Sequence, residues 1–162
     1  FYAHAIEDAN LQYDMLFGPA YKGIPLVCTA AIGLAEQFNK DVPYSFNRKE
    51  KKDHGESGMI VGHPLSKSVL IIDDVITAGT AIRESIPLIR QAGAKPAGIV
   101  IMLDRQERGQ GAQSAIQEIK TEYSIAIISI IKLEDLVAYL NEQPMAENLN
   151  NILKYREKYG AS

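Results

Sequence analysis

The 162-residue chain has one cysteine, no long uninterrupted apolar stretch and little excess of either charge. Each shortage excludes something. A single thiol, Cys28, cannot close an internal disulfide and suits a reducing, cytoplasmic setting. It falls in an alanine-rich helical stretch without a nearby histidine, so it reads as a packed core thiol rather than a nucleophile. The apolar runs fall well short of the roughly 20 residues that a membrane span needs, and no signal peptide can be read. A net charge of −3, with the acid not gathered into a tail, provides no electrostatic footprint for nucleic acid. His4 and His63 stand at no metal-ligand spacing from each other or from Asp and Glu. There is no Walker motif and no Ser/His/Asp arrangement. Repeats, low-complexity segments and linkers are also missing, so residues 1–162 are expected to form one domain with a core of its own.

What the chain does have is an alternation of short apolar runs with helical patterns, the signature of parallel βαβ units rather than of a sandwich. Strands are predicted at 14–18, near 42–47, at 69–73, at 98–103 and at 125–131. A helix is predicted from about Gly23, with Ile24, Val27, Ala31, Leu34 and Phe38 facing inward. Further helices are expected near 80–92 and 112–123, around Leu133 to Leu140, and over 145–159. Pro87 falls inside the 80–92 helix and is expected to kink it. The fold class is therefore α/β, with a mostly parallel central sheet and helices on both faces.

The most informative stretch begins at Val69 and reads Leu-Ile-Ile-Asp-Asp-Val-Ile-Thr-Ala-Gly-Thr-Ala to Ala81. Val69 to Ile72 is too short and too β-branched for a helix and reads as a buried strand. It stops on Asp73 and Asp74, carboxylates that are costly to bury without partners. Thr77-Ala-Gly-Thr80 then offers a hydroxyl, a glycine and open backbone N–H groups ahead of a helix whose Ile82, Ile86 and Ile89 share one face. A bare Asp-Asp after a strand is usually only a solvated turn. Strand, acidic pair, small loop and helix N-terminus together suit a phosphorylated polyol, with amides and helix dipole on the phosphate and carboxylates on the sugar hydroxyls.

Three other pieces carry chemistry. Gly18-Pro-Ala-Tyr-Lys-Gly23 follows the first strand; its glycines and proline suggest a tight loop with amides turned toward an anion and Lys22 as a point charge. Standing alone, it would be a plain strand-to-helix connection. Phe46 to Glu56 begins as a strand and becomes a dense run of mixed charge before Gly58. Such runs are usually solvated surface, yet a glycine-flanked basic loop is also able to close over a leaving diphosphate. Leu103-Asp-Arg-Gln-Glu-Arg-Gly109 ends the fourth predicted strand, where Arg105 has Asp104 and Glu107 for ion-pair partners. Gly109-Gln-Gly111 does not make a dinucleotide motif, because no strand immediately precedes it and the third glycine is missing.

The Ile-Ile-Asp-Asp-Val-Ile-Thr-Ala-Gly-Thr-Ala run resembles the type I phosphoribosyltransferase signature, in the form carried by the family's orotate-using branch. The other three pieces match in family order, so the resemblance covers nearly the whole chain. It implies transfer of the 5-phosphoribosyl group from 5-phosphoribosyl 1-diphosphate to orotate, giving orotidine 5′-monophosphate and diphosphate in pyrimidine synthesis. It places Asp73 and Asp74 on the ribose hydroxyls, and the loop Val75, Ile76, Thr77, Ala78, Gly79, Thr80 and Ala81 on the 5-phosphate. Tyr21, Lys22, Arg48, Lys49, Lys52 and His54 are assigned to the diphosphate, with Lys52 the main transition-state contact. Relatives carry a non-proline cis peptide in the Tyr21–Lys22 loop. Arg105, with Thr77, is assigned to orotate, where a guanidinium matches the base's carboxylate. The resemblance further implies Mg²⁺ held mainly by substrate oxygens and water, and a homodimer in which the basic loop reaches the neighbouring subunit's site.

One departure is visible. Family members begin with a further segment that forms part of a hood over the base, and this chain opens at Phe1. The expectation is an incomplete orotate pocket, with donor binding kept and much turnover lost. Two other classes compete. A signalling receiver domain also has an acidic pair, but near its first strand. A non-catalytic regulator on the same fold keeps the donor loop but tends to lose the basic loop, which is intact here, and usually presents a basic nucleic-acid surface.

Overall fold

A computed structural model describes residues 1–50, 58–111 and 113–161. The elements in chain order are α1 (Tyr2–Asp8), β1 (Met15–Gly18), α2 (Gly23–Phe38), β2 (Tyr44–Asn47), β3 (Ile60–Gly62) and β4 (Ser68–Val75), followed by α3 (Thr80–Gln91), β5 (Lys95–Asp104), α4 (Ala115–Tyr123), β6 (Ala126–Lys132), α5 (Leu133–Asn141) and α6 (Ala146–Tyr159). Six strands make one sheet in the order β3-β2-β1-β4-β5-β6. Every neighbouring pair is parallel except β2–β3, which is antiparallel.

Strand periodicity divides the core into two layers. Met15, Phe17, Val69, Ile71, Ile99 and Ile101 face one side, where Ile82, Ile86 and Ile89 of α3 and Ile119 of α4 cover them. Leu16, Leu70, Ile72 and Val100 face the other, against Val27, Ala30 and Leu34 of α2 and Ile6 of α1. All of these side chains are buried. Continuous apolar runs such as Val69 to Ile72 are what a strand covered on both faces requires.

The predicted elements reappear with two additions. α1 and the short edge strand β3 were not predicted. The carboxylate-ended strand is therefore the fourth in the chain, and the sheet gains an antiparallel edge. Gly93, at φ +78°, follows the end of α3, and α3 runs continuously through Pro87. Cys28 is only half-buried, packed at the margin of the α2 layer.

From β1 the chain crosses by α2 to β2 on one side; from β4 it crosses by α3 to β5 on the other. β1 and β4 are neighbours, so their carboxyl ends flank the point where the strand order reverses, the place where open α/β sheets form a ligand crevice.

Candidate active site

Two adjoining clefts, each of about 280 Å³, open at this reversal point. The first lies over the loop from β4 to α3 and is lined by Asp73, Ile76, Thr77, Gly79 and Thr80, with Lys49 at its rim. The second is bounded by Tyr21 and Lys22 after β1, Asp73 and Asp74 at the end of β4, and Arg105 just past β5. Asp73, Val75, Thr77, Ala81 and Ala20 are shared by both, so the two clefts are continuous.

The acidic pair is asymmetric. Asp73 is only 6 % exposed, and its Oδ1 accepts the Asp74 backbone N–H at 2.9 Å. Burial, opposed by that hydrogen bond but reinforced by the Asp74 charge, pushes its carboxyl from the ordinary 3.8 up to about 6. Asp74 moves the other way. Burial would raise it, but the Lys22 ammonium, donating to its Oδ2 at 2.7 Å, and the Val75 N–H more than offset this and hold it below the usual range. The Lys22 ammonium is correspondingly raised by its hydrogen bond to Asp74. Lys22 is 76 % exposed, so the pair stabilises little and is easily exchanged for another anion.

The loop behind the acids leaves the start of α3 without a side-chain cap. Gly79 precedes α3 at φ +75° and no side chain caps the helix, which leaves that N-terminus for an anion. A Cβ at Gly79 would press on the Ile119 side chain at 2.8 Å, so α4 packs directly under this loop.

In the loop after β1, the Ala20–Tyr21 peptide is cis. The Ala20 N–H donates to Asn47 Oδ1 at 2.7 Å, tying the loop to the end of β2. The Lys49 ammonium lies 5.4 Å from the Tyr21 ring centroid, which gathers two of the expected diphosphate groups on one rim. Arg48 and Ala78 line neither cleft; the Arg48 N–H pairs with the Met59 carbonyl at 2.8 Å, continuing the β2–β3 edge. Lys52 and His54 lie outside the described residues.

Arg105 faces the second cleft while paired with Glu107 at 3.2 Å, and its buried Nε has no hydrogen-bond partner. The turn that aims it is held by Asp104, whose Oδ1 accepts the Gln106 N–H at 2.7 Å while Gln106 adopts φ +53°.

Two residues at the site had no signal in the sequence. Asn47 reads as a strand end. Tyr2 reads as an ordinary aromatic, yet its hydroxyl donates to the Asp73 carbonyl at 2.7 Å, bracing the strand that carries the acids. Burial and the nearby Asp74 and Asp73 charges push the Tyr2 phenol upward, so it stays a neutral donor. Among the described residues, no group of three or more His, Cys, Asp or Glu side chains forms a protein-only metal site.

Comparison with known proteins agrees with this geometry. The family model described as the phosphoribosyl transferase domain matches residues 1–124. An orotate phosphoribosyltransferase of Klebsiella pneumoniae is 57% identical over 161 residues, covering 99% of this chain and 76% of that protein. The crystal structure of orotate phosphoribosyltransferase from Francisella tularensis superposes with a TM-score of 0.84 at 40% identity, covering 98% of this chain and 76% of that one. A Mycobacterium tuberculosis orotate phosphoribosyltransferase, solved in complex with 5-phospho-α-D-ribosyl 1-diphosphate, shares the fold at a TM-score of 0.64 and 20% identity, covering 83% of this chain and 73% of that one. The chain belongs to the phosphoribosyltransferase family, in its orotate phosphoribosyltransferase branch.

Proposed function

We propose that the paired clefts are the active site of an orotate phosphoribosyltransferase, whose reaction moves the 5-phosphoribosyl group from 5-phosphoribosyl 1-diphosphate to orotate in pyrimidine biosynthesis. The observation that carries the reading is the convergence of Lys22, Asp73, Asp74, Thr77 and Arg105 on one crevice from three different strand ends. Asp73 and Asp74 accept hydrogen bonds from the ribose hydroxyls. The loop from Val75 to Ala81 receives the 5-phosphate on its amides and the α3 N-terminus. Tyr21, Lys22 and Lys49, with Arg48, Lys52 and His54 of the basic loop, take the diphosphate. Arg105 and Thr77 take orotate; the Arg105 Nε, without a partner among the described residues, leaves the guanidinium able to grip a carboxylate beside its Glu107 pair.

In this mechanism the bond from the anomeric carbon to the diphosphate oxygen breaks ahead of bond formation. Positive charge develops on the ribose, and the orotate ring nitrogen closes on the opposite face with inversion, its N–H proton leaving to solvent as the diphosphate departs. The enzyme forms no covalent intermediate. It aligns both partners and neutralises the departing diphosphate. Lys22 begins on Asp74 and is free to follow the diphosphate, since its exposed ion pair is weak.

The donor set fits Mg²⁺. Two adjacent carboxylates, with no group of three or more ligating side chains among the described residues, suit a hard cation bound chiefly through substrate oxygens and water. Bound there, it would neutralise diphosphate charge, while Asp73 and Asp74 would fix the ribose. The same reading treats residues 1–162 as one core domain and the working enzyme as a homodimer, with the basic loop shared between subunits. No described helix is long and apolar enough to cross a membrane.

An orotate consumption assay with the donor and Mg²⁺ tests the assignment. Lys52→Ala is expected to lower turnover about a hundredfold or more while the folded structure is unchanged. An unchanged rate removes Lys52 from catalysis. Chelation with EDTA is expected to stop turnover and excess Mg²⁺ to restore it; activity that survives chelation refutes the metal requirement.

A further inference from the structure

The Gly109-Gln-Gly111 segment, which lacks the third glycine of a dinucleotide motif, already holds an anion belonging to the protein. Glu118, in the first turns of α4, accepts the Gln110 N–H at 3.0 Å through Oε2 and the Gly111 N–H at 2.7 Å through Oε1. Those two donors hold its carboxyl below the usual range. The carboxylate sits so close to Gly109 that any Cβ there would collide with it, so that glycine is the space the anion occupies.

The loop that Glu118 fills is closed at its base. Arg108 bridges Ser114 in antiparallel fashion, the Gly109 N–H reaches the Gln113 carbonyl at 2.9 Å, and the Ala115 N–H reaches the Glu107 carbonyl at 3.2 Å. Glu107 is the residue paired with Arg105. On its other side, Glu118 lies 3.8 Å from Arg83 of α3, which also pairs with Glu122. The next residue, Ile119, packs beneath Gly79 of the phosphate loop. One turn of α4 thus touches both the segment carrying the base-recognition arginine and the loop assigned to the 5-phosphate.

We propose that Glu118 is a positioning residue for base recognition: by filling the Gly109–Gly111 loop it holds Glu107, and through it Arg105, at a set distance from the phosphate loop. The inference rests on the assignment of Arg105 to the base. Glu118 lines neither cleft. It acts by limiting the conformations of a loop, so its removal leaves phosphate and ribose contacts in place and spreads Arg105 over orientations that miss the base carboxylate.

Binding of two ligands by the same protein separates the effects. Orotidine 5′-monophosphate uses both halves of the site, and ribose 5-phosphate uses only the phosphoribosyl half. Calorimetric titration of Glu118→Ala is expected to show about tenfold weaker orotidine 5′-monophosphate binding, with ribose 5-phosphate within about twofold of the parent. Glu118→Gln, which keeps one acceptor, should fall between. Gly109→Ala, which displaces the carboxylate from the other side, should reproduce the selective loss and supplies the test if Glu118→Ala does not fold. Arg105→Ala is the reference. If it leaves orotidine 5′-monophosphate binding unchanged, the base assignment fails and Glu118 has nothing to position. If it weakens that ligand while the Glu118 and Gly109 variants bind both ligands as the parent does, the assignment stands and the positioning role is overturned.

Discussion

At the residue scale, the site depends on two adjacent aspartates being made chemically unequal. Burial raises Asp73 to about 6, whereas Lys22 keeps Asp74 ionised. A ribose hydroxyl needs a carboxylate to accept its proton, so ribose 5-phosphate affinity should climb as pH rises through about 6. The ligand's own phosphate also ionises near pH 6, and the comparison must therefore be with Asp73→Asn, which retains only the phosphate contribution. The difference between the two titrations isolates Asp73, and identical profiles would contradict the role given to it. Linkage adds a stability effect. Between about pH 4 and pH 6 the native state holds a proton on Asp73 that the unfolded chain has released. Stability should accordingly fall as pH rises across that window and level off above it, an effect absent in Asp73→Asn. The acids themselves were legible in the sequence, because the apolar strand ends on them directly ahead of the small-residue loop Thr77 to Thr80. Tyr2 was not legible: its hydrogen bond to the Asp73 carbonyl joins positions 71 residues apart. Tyr2→Phe should weaken ribose 5-phosphate binding severalfold with little change in Tm, since the ring stays packed and only the hydroxyl is lost.

At the scale of elements, the loop after β1 is positioned by close approach at a glycine. A Cβ at Gly18 would strike the Gly23 backbone carbonyl and approach the Val27 side chain at 2.7 Å. Backbone at that distance cannot yield as a flexible side chain would. Gly18→Ala should cost about 1–3 kcal/mol of stability, read by denaturant titration, and should weaken diphosphate binding by moving Tyr21 and Lys22. The start of α4 is secured by a different device. Ser114 and Gln117 form a reciprocal capping box, with hydrogen bonds of 3.1 and 2.9 Å. This helix was expected to begin at 112 but begins at Ala115, because the residues before Ser114 are committed to the loop around Glu118. The short β3 escaped the sequence reading because three residues beside a charged run carry no measurable periodicity; only pairing with Tyr44–Asn47 makes them a strand.

At the scale of the whole molecule, the central strands are covered on both faces, and the site is placed by topology. Ile71 and Ile99 are fully buried neighbours on the central strands β4 and β5. Truncating either to alanine should destabilise the protein by about 2–5 kcal/mol while leaving ligand affinity unchanged at temperatures where it remains folded. The adjacency of β1 and β4 brings residues 21–22, 73–80 and 105 to one crevice although they are far apart in the chain. No local property of those segments encodes that adjacency; it follows from which edge each crossover returns to.

Local chemistry alone determined the alternating elements, the buried strand ending in carboxylates, the small-residue loop and the basic segment, because strand and helix periods and the exclusion of charge from apolar layers are written in neighbouring residues. Tertiary structure decided the rest: the order of the strands, the inequality of Asp73 and Asp74, the Tyr2 brace, and the filling of the Gly109–Gly111 loop by Glu118. Each of these depends on the burial or partner of a side chain, and those are set by residues that the chain brings together only after it has closed its sheet.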